Sequence, residues 1–246
     1  MKVAAFTALH YGGDFWGTAI ASVAPYVDEW CVAYSPEGSH GTRARVRCPE
    51  TEYMLRKIAD HALEKAGKPL KWWSGLYPHE GAQRDTVLQH TDADIIIVVD
   101  ADEVWQDGAV WDVIRRAVET PARVGRVPFI HFWRSFSWVC RDHLWPVRVI
   151  QPKLADGEQY YGCAPVLHFG YARKVEAIEY KIRVHGHRGE WRPEWIGKFM
   201  SWTPQHGPHE DLHPTNVDFW TAEPFAKEQL PQVLRDHPYY GLEIIG

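Results

Sequence analysis

The chain is short of features that would anchor, cross-link or decorate it. Its four cysteines, Cys31, Cys48, Cys140 and Cys163, lie far apart and form no C-x-x-C pair. That argues against a zinc knuckle or a redox dithiol and for reduced thiols. No apolar run comes near the ~20 residues of a membrane span. The single asparagine, Asn216, is followed by Val217 and Asp218 and makes no N-glycosylation signal. Met1-Lys2-Val3 enters a strand-like segment at once, without a signal-peptide pattern. A cytoplasmic location is therefore expected, the host's cytoplasm if the chain is phage-encoded. There is no internal repeat and no low-complexity tract. Nor is there an overall basic surplus: 27 Lys and Arg against 32 Asp and Glu leave a formal charge of −5, which speaks against a dedicated nucleic-acid binder.

What is present is a globular composition, 45% apolar and 24% charged over 246 residues, enough to bury a core without staples. Rings are in surplus: 13 Trp exceed 11 Tyr and 9 Phe, and there are 14 His. Trp and His combine a stackable body with a polar edge. Two stretches are locally basic. Arg43, Arg45 and Arg47 alternate at strand period, and over residues 173–198 Arg173, Lys174, Lys181, Arg183, Arg188, Arg192 and Lys198 outnumber Glu176, Glu179, Glu190 and Glu194. Both a solvated face and a site for a phosphorylated ligand fit that pattern.

Hydrophobic periodicity sets out the first half. Strands are predicted at Lys2 to Ala8, Glu29 to Tyr34, Leu70 to Trp73 and, most strongly, Asp94 to Asp100. Helices are predicted at Phe15 to Ala24, from Pro49 to Ala66 with Met54, Ile58, Ala62 and Leu63 on one stripe, at Gly81 to His90, and at Gly108 to Val118. Strict β-α alternation over residues 1–118 predicts an open, mostly parallel sheet with a ligand crevice at the carboxyl ends of its strands. The second half reads as short strands within Arg123 to Trp133, at Trp138-Val139 and from Trp145 to Gln151. Val175 to Arg183 is helical or extended, Trp202 to Pro214 is a Pro/His-rich loop, and helices are expected after Pro224 and from Pro231 to Asp236. No linker separates the halves, so a single domain is expected.

The chemistry concentrates in Ile95-Ile-Ile-Val-Val-Asp100-Ala101-Asp102-Glu103, an apolar strand running into Asp-x-Asp. Residues i and i+2 of an extended chain share a face, so both carboxylates can address one point. Two clustered anions call for a cation between them. Hard oxygen ligands suit Mg²⁺ or Mn²⁺, which also take phosphate oxygens and can neutralise a diphosphate leaving group. A strand that simply ends in Asp at a turn is the plainer alternative.

These residues resemble a known family. Gly81-Ala-Gln-Arg84-Asp85-Thr-Val-Leu, then the strand, then Asp100-Ala101-Asp102-Glu103, is similar to the A-R-N-x-x-L and D-A-D-E elements of family 2-type glycosyltransferases with the GT-A fold. Glu37-Gly38-Ser39-His40-Gly41-Thr42 is similar to that family's D-G-S-x-D-G-T, one residue shorter and with Glu for Asp. Val166-Leu-His168-Phe-Gly-Tyr-Ala-Arg173 is similar to its H-x-G-x-x-R segment. The likeness is good over residues 1–105, moderate over 160–185 and absent beyond. It implies a GT-A α/β fold with a nucleotide-sugar donor half at 1–118 and an acceptor and lid half at 119–246. It further implies a nucleotide-diphosphate sugar, UDP-linked by preference, and a Mn²⁺ or Mg²⁺ ion. Thr7 and Leu9 would line the nucleotide pocket, Glu37 would hold base or ribose, and Arg84 and Asp85 would support nucleotide and sugar. Asp100 and Ala101 would contact ribose or sugar, Asp102 with Asp100 and His168 would hold the metal, and Arg173 and Lys181 would contact the diphosphate. His168 could equally be a packed structural residue, and Arg173 and Lys181 plain surface charge.

An inverting transfer needs a base for the acceptor hydroxyl. The Glu-Asp pair that serves this family is missing between 120 and 200, leaving Asp142 and Glu190 as candidates. A retaining route stays open. His185, His187, His206, His209 and His213 could bind zinc or belong to a lid that excludes water. Trp133, Trp138, Trp145, Trp191, Trp195 and Trp202 fall on the acceptor side, where they could stack on rings or fill a core. Acceptors compatible with the sequence are a saccharide, a protein, a small molecule, or hydroxymethylated bases in DNA, whose backbone the basic stretches could track. Two alternatives compete: a sugar nucleotidyltransferase, which should carry a basic Gly-rich loop after the first strand where this chain has His10-Tyr-Gly-Gly-Asp14, and a non-catalytic nucleic-acid-binding module.

Overall fold

The computed structural model describes residues 1–38, 48–141, 143–184, 191–206, 211–215 and 221–245. The first part alternates as expected: β1 (Val3–Leu9), α1 (Gly13–Val23), β2 (Glu29–Tyr34), α2 (Glu52–Ala66), β3 (Leu70–Ser74), α3 (Glu80–His90), β4 (Ile95–Val98), a two-residue β5 (Glu103–Val104) and α4 (Ala109–Glu119). After it come β6 (Val124–Arg126), β7 (Phe129–Trp133), β8 (Trp138–Cys140), β9 (Val147–Ile150), β10 (Glu158–Tyr160), β11 (Val166–Tyr171), α5 (Val175–Val184), α6 (Trp195–Ser201) and β12 (Glu223–Pro224).

Two sheets result. The larger has the order β10-β6-β9-β4-β1-β2-β3, with β4, β1, β2 and β3 mutually parallel and β9 antiparallel to β4 and β6. Chain order reverses beside β1, which places the crevice outside the carboxyl ends of β1 and β4. Its strands are apolar on both faces. Ala5, Leu9, Val32, Ile95 and Ile97 pack into one core beneath α1, α2 and α4, while the alternate residues Ala4, Phe6, Cys31, Ile96 and Val98 pack into another with Val87 of α3.

The smaller sheet has the order β12-β8-β7-β11-β5. β5 begins directly after Asp100-Ala101-Asp102 and pairs antiparallel with β11, Glu103 opposite His168, while β7 pairs with β11 in parallel, His131 beside His168. The aspartate turn is thus the hinge between the sheets. Alternation on β7 and β11 sends Ile130, Phe132, Leu167 and Phe169 into a core with Phe15 of α1, and leaves His131 and His168 on the opposite face.

Several sequence expectations need correction. On α2 the buried stripe is Leu55, Ala59 and Leu63, because Met54 points outward at 51% exposure. Thr51 caps that helix through the Met54 amide, and Gly67, at φ 65°, ends it. Of the two readings open for residues 175–183, the helix holds, as α5. α6 was not expected, although Trp195, Phe199 and Trp202 recur at helical spacing. The helices expected after Pro224 and Pro231 are single 3₁₀ turns, Lys227–Gln229 and Gln232–Leu234. Trp133, Trp195 and Trp202 are core residues, packed with Phe199, and Trp138 and Trp191 lie against that cluster. Among the described residues no helix is long and apolar enough to cross a membrane.

Phe169 stacks between Phe15 at 4.7 Å and Phe132 at 4.5 Å, joining the smaller sheet to α1. Phe169→Ala should cost about 3–5 kcal/mol, read as a lowered urea midpoint at unchanged slope. A loss under 1 kcal/mol would show that this core does not hold the sheet in place.

Candidate active site

At the carboxyl ends of β1 and β4 lies a cavity of about 270 Å³. Ala8, His10 and Tyr11 contribute the end of β1, Gly38 follows β2, and Glu80 and Gln83 come from α3. Asp100, Ala101 and Asp102 form one wall, and the C-terminal half closes it with His168, Arg173, Lys181 and Val184.

The aspartate turn is built tightly. The Asp100 amide donates to Glu103 Oε2 at 3.1 Å, and the Glu103 amide to the Asp100 carbonyl at 3.1 Å. Beneath it lies Arg148 of β9, 6% exposed, whose Nη2 donates to Asp100 Oδ2 at 2.8 Å and whose Nε donates to Glu103 Oε2 at 2.9 Å. Ala101 is small for a reason. Gly12, at φ 130°, approaches so closely that a Cβ there would meet the Ala101 Cβ at 2.8 Å. Burial works to raise the Asp100 carboxyl, but the Arg148 guanidinium prevails and holds it below its usual range. Glu103, with 0% exposure, is pushed by burial up to about 8 against the pull of Arg148.

Asp102 faces the cavity. His168 Nε2 lies 3.7 Å from its Oδ1 and Lys181 Nζ 3.9 Å from its Oδ2. Burial, then His131 and Lys181, keep the His168 imidazole neutral, well below its usual range, and burial lowers the Lys181 ammonium despite Asp102. Space for these two groups exists because position 170 is glycine: a Cβ there would collide with both His168 Nε2 and Lys181 Nζ.

The residues named from the sequence divide accordingly. Asp100, Ala101, Asp102, His168, Arg173 and Lys181 meet around the cavity. Thr7 and Leu9 do not line it. Thr7 is buried, its hydroxyl donating to the Val99 carbonyl at 2.7 Å and accepting from Trp30 Nε1 at 3.2 Å, and the Leu9 side chain is in the core. Strand alternation turns them inward and presents Ala8 and His10 instead. Glu37 precedes the lining residue Gly38. Arg84 pairs with Glu80 at 2.9 Å and Asp85 is exposed, so α3 meets the cavity through Glu80 and Gln83. Arg173 is only 2% exposed and spends Nε and Nη2 on Asp14 at 2.8 and 2.6 Å. Asp142 and Glu190 lie outside the described residues, as do Arg43, Arg45, Arg47, Arg188, His185, His187 and His209. Of the described basic residues in 173–198, Arg173 and Lys181 line the cavity and Arg192 pairs with Asp211.

Arg148 and His131 were missed. An arginine between the valines of a short apolar strand was the available signal for the first, because a charge there needs a buried partner. For His131 only the strand register reveals the neighbour.

Asp102 and His168 supply two donors, a carboxylate oxygen and a neutral imidazole nitrogen, a set that fits Mn²⁺, while Mg²⁺ would draw on the carboxylate alone. Among the described residues no three His, Cys, Asp or Glu side chains are arranged to hold a metal.

No family model and no curated protein matches the sequence. Among solved structures, the chain is similar to S. aureus TarS 1–349, at 16% identity over 53% of this chain and 36% of that one, TM-score 0.39. TarS 1–349 has also been solved in complex with UDP. Similar too is glucosyl-3-phosphoglycerate synthase from Mycobacterium tuberculosis, in complex with Mn²⁺, UDP and glucosyl-3-phosphoglycerate, at 12% identity over 74% of this chain and 80% of that one, TM-score 0.44. The match spans little more than a third of the TarS chain, 36%.

Two outcomes are expected. His10, His168 and His237 all have imidazoles held below the usual 6.5, mainly by burial. Below that pH the unfolded chain binds protons that the folded chain refuses, so stability falls with falling pH. Glu103 works in the opposite sense between its unfolded 4.5 and folded value of about 8, so the imidazoles are read by difference. In urea unfolding between about pH 6.5 and about pH 5, His237→Gln should lose less stability than wild type as the pH falls. An identical pH dependence in the two would contradict the neutral imidazole of His237. Separately, Gly170→Val should overpack this wall, lowering stability in urea unfolding by about 1–3 kcal/mol while the folded spectrum persists, and should abolish ligand binding at the cavity, measured by calorimetry with UDP.

Proposed function

We propose that this chain is a glycosyltransferase of GT-A type that takes its sugar from a nucleotide diphosphate, UDP for preference, with Mn²⁺ or Mg²⁺. The observation that carries the reading is the convergence of Asp102, His168 and Lys181, drawn from both halves of the chain, on one cavity at the switch point of the sheet. Asp102 Oδ1 and His168 Nε2 would hold the ion together with diphosphate oxygens. When bound, the ion supplies Lewis-acid neutralisation of the departing diphosphate. Lys181 presents a second positive charge to the same place, and Arg173, held by Asp14, lines the cavity with fixed orientation. Arg148 keeps Asp100 ionised and aimed at ribose or sugar.

The chain's own residues disfavour the nucleotidyltransferase alternative. A helix N-terminus after the first strand is a ready phosphate site. Here Glu50 fills it, accepting from the Gly12 amide at 2.7 Å and the Gly13 amide at 3.0 Å. A phosphate would meet a carboxylate there. The acceptor is a hydroxyl compound drawn from the saccharide, protein, small-molecule or hydroxymethylated-DNA classes, with Asp142 or Glu190 assigned as its base from sequence alone.

Calorimetry with UDP, the nucleotide held by both similar structures, is the first test. Binding should strengthen at least tenfold with Mn²⁺, and Asp102→Ala should remove that gain while the folded spectrum persists. Equal binding with and without the ion would sink the metal-dependent reading. Mass spectrometry with UDP-sugars and pooled acceptors then identifies the product.

A further inference from the structure

His168 Nδ1 lies 2.7 Å from His131 Nδ1. At that distance one nitrogen carries the proton and the other accepts it, since two protons or two lone pairs would repel. There are two arrangements. If His131 donates, His168 Nδ1 accepts and the one N–H of His168 sits on Nε2, inside a site where His168 is 13% exposed. Its nearest acceptor is then Asp102 at 3.7 Å, beyond hydrogen-bond reach, with the Lys181 ammonium converging on the same space above Gly170. A buried N–H would be left unpaired beside a cation, which is the costlier state. If His168 donates, Nε2 is a bare lone pair beside the Lys181 ammonium, and no N–H of His168 is left unpaired.

The ring itself is held. Phe129 stacks on His168 at 5.2 Å and 23°, Tyr171 meets it edge-on at 5.9 Å, and His131 stands perpendicular to it at 4.8 Å. Rotation that would exchange the two nitrogens is thereby opposed. Both histidines leave their strands on the same face because β7 and β11 pair in register at these positions.

We propose that His131 is a positioning residue: it accepts the Nδ1–H of His168 and so fixes the tautomer in which His168 Nε2 is an open donor atom aimed at Asp102. It touches neither nucleotide nor sugar. The proposal rests on His168 serving as a ligand in the proposed function, where a ligating imidazole needs its other N–H anchored.

The test begins with the metal-free, nitrogen-15-labelled full chain at neutral pH, with His168 assigned by the signal lost in His168→Gln. Wild-type His168 should show a protonated Nδ1 and a bare Nε2; a protonated Nε2 overturns the proposal, and this measurement needs no variant at His131. His131→Phe removes the acceptor, so His168 should lose that tautomer and the affinity for Mn²⁺ with UDP, read by electron paramagnetic resonance of free Mn²⁺, should fall about 10–100-fold. His131→Asn, whose Oδ1 takes about the place of Nδ1, should restore both. An unchanged tautomer in His131→Phe also overturns it. A wild-type chain with the expected tautomer but no Mn²⁺ binding would refute the metal reading of the site and still uphold the role of His131.

Discussion

Everything at the mouth of the cavity depends on a buried guanidinium. Arg148 lies under the aspartate turn and bonds both Asp100 and Glu103, the latter fully buried. Such a cluster is weak as a source of stability, because taking the Arg148–Asp100 ion pair out of water offsets most of its attraction. Breaking it by deleting one partner is costly, on the order of 3–5 kcal/mol. What it supplies is direction. Asp100 has one oxygen engaged from below, Glu103 closes the turn from inside, and Asp102 is left as the carboxylate that turns toward the cavity. Arg148 reaches this point through strand register: Ile150 opposes Ile96 and Val149 opposes Ile97, so the next residue of β9 arrives near the end of β4.

The first half of the fold was legible because its physics is local. Fully buried parallel strands read as unbroken apolar runs, and Gly67 marks the end of α2, whose start was placed at Pro49 where the Thr51 cap sets it at Glu52. The Asp-x-Asp turn stood out for the same reason, an apolar strand ending in charge. The second half was harder. β8, β10 and β12 span only three, three and two residues, too short for periodicity to speak. Whether a tryptophan fills a core or faces a ligand depends on a partner far along the chain, as with Trp133 and Trp195, whose rings meet edge-on at 5.9 Å.

The site divides along the same line. Asp100 and Asp102 are neighbours in sequence and could be read together. His168 could be named only from a resemblance, and its partnership with Asp102 exists because a two-residue strand, β5, ties the turn to β11. Thr7 and Leu9 were misplaced by one strand position, and with period-two alternation one position is a change of face. Arg173 was read as a diphosphate contact or plain surface charge, because nothing local announces that Asp14, 159 residues earlier, is its partner.

The contact between Gly12 and Ala101 has a consequence for how this chain can vary. The two positions share one small volume, so their sizes form a single variable. Any side chain at position 12 would have to push aside the residue between the aspartates or displace the start of α1, and with it the Gly12 and Gly13 amides that Glu50 caps and the Asp14 that anchors Arg173. Drift at position 12 would therefore be felt on the far wall of the cavity, through backbone and without any change of charge.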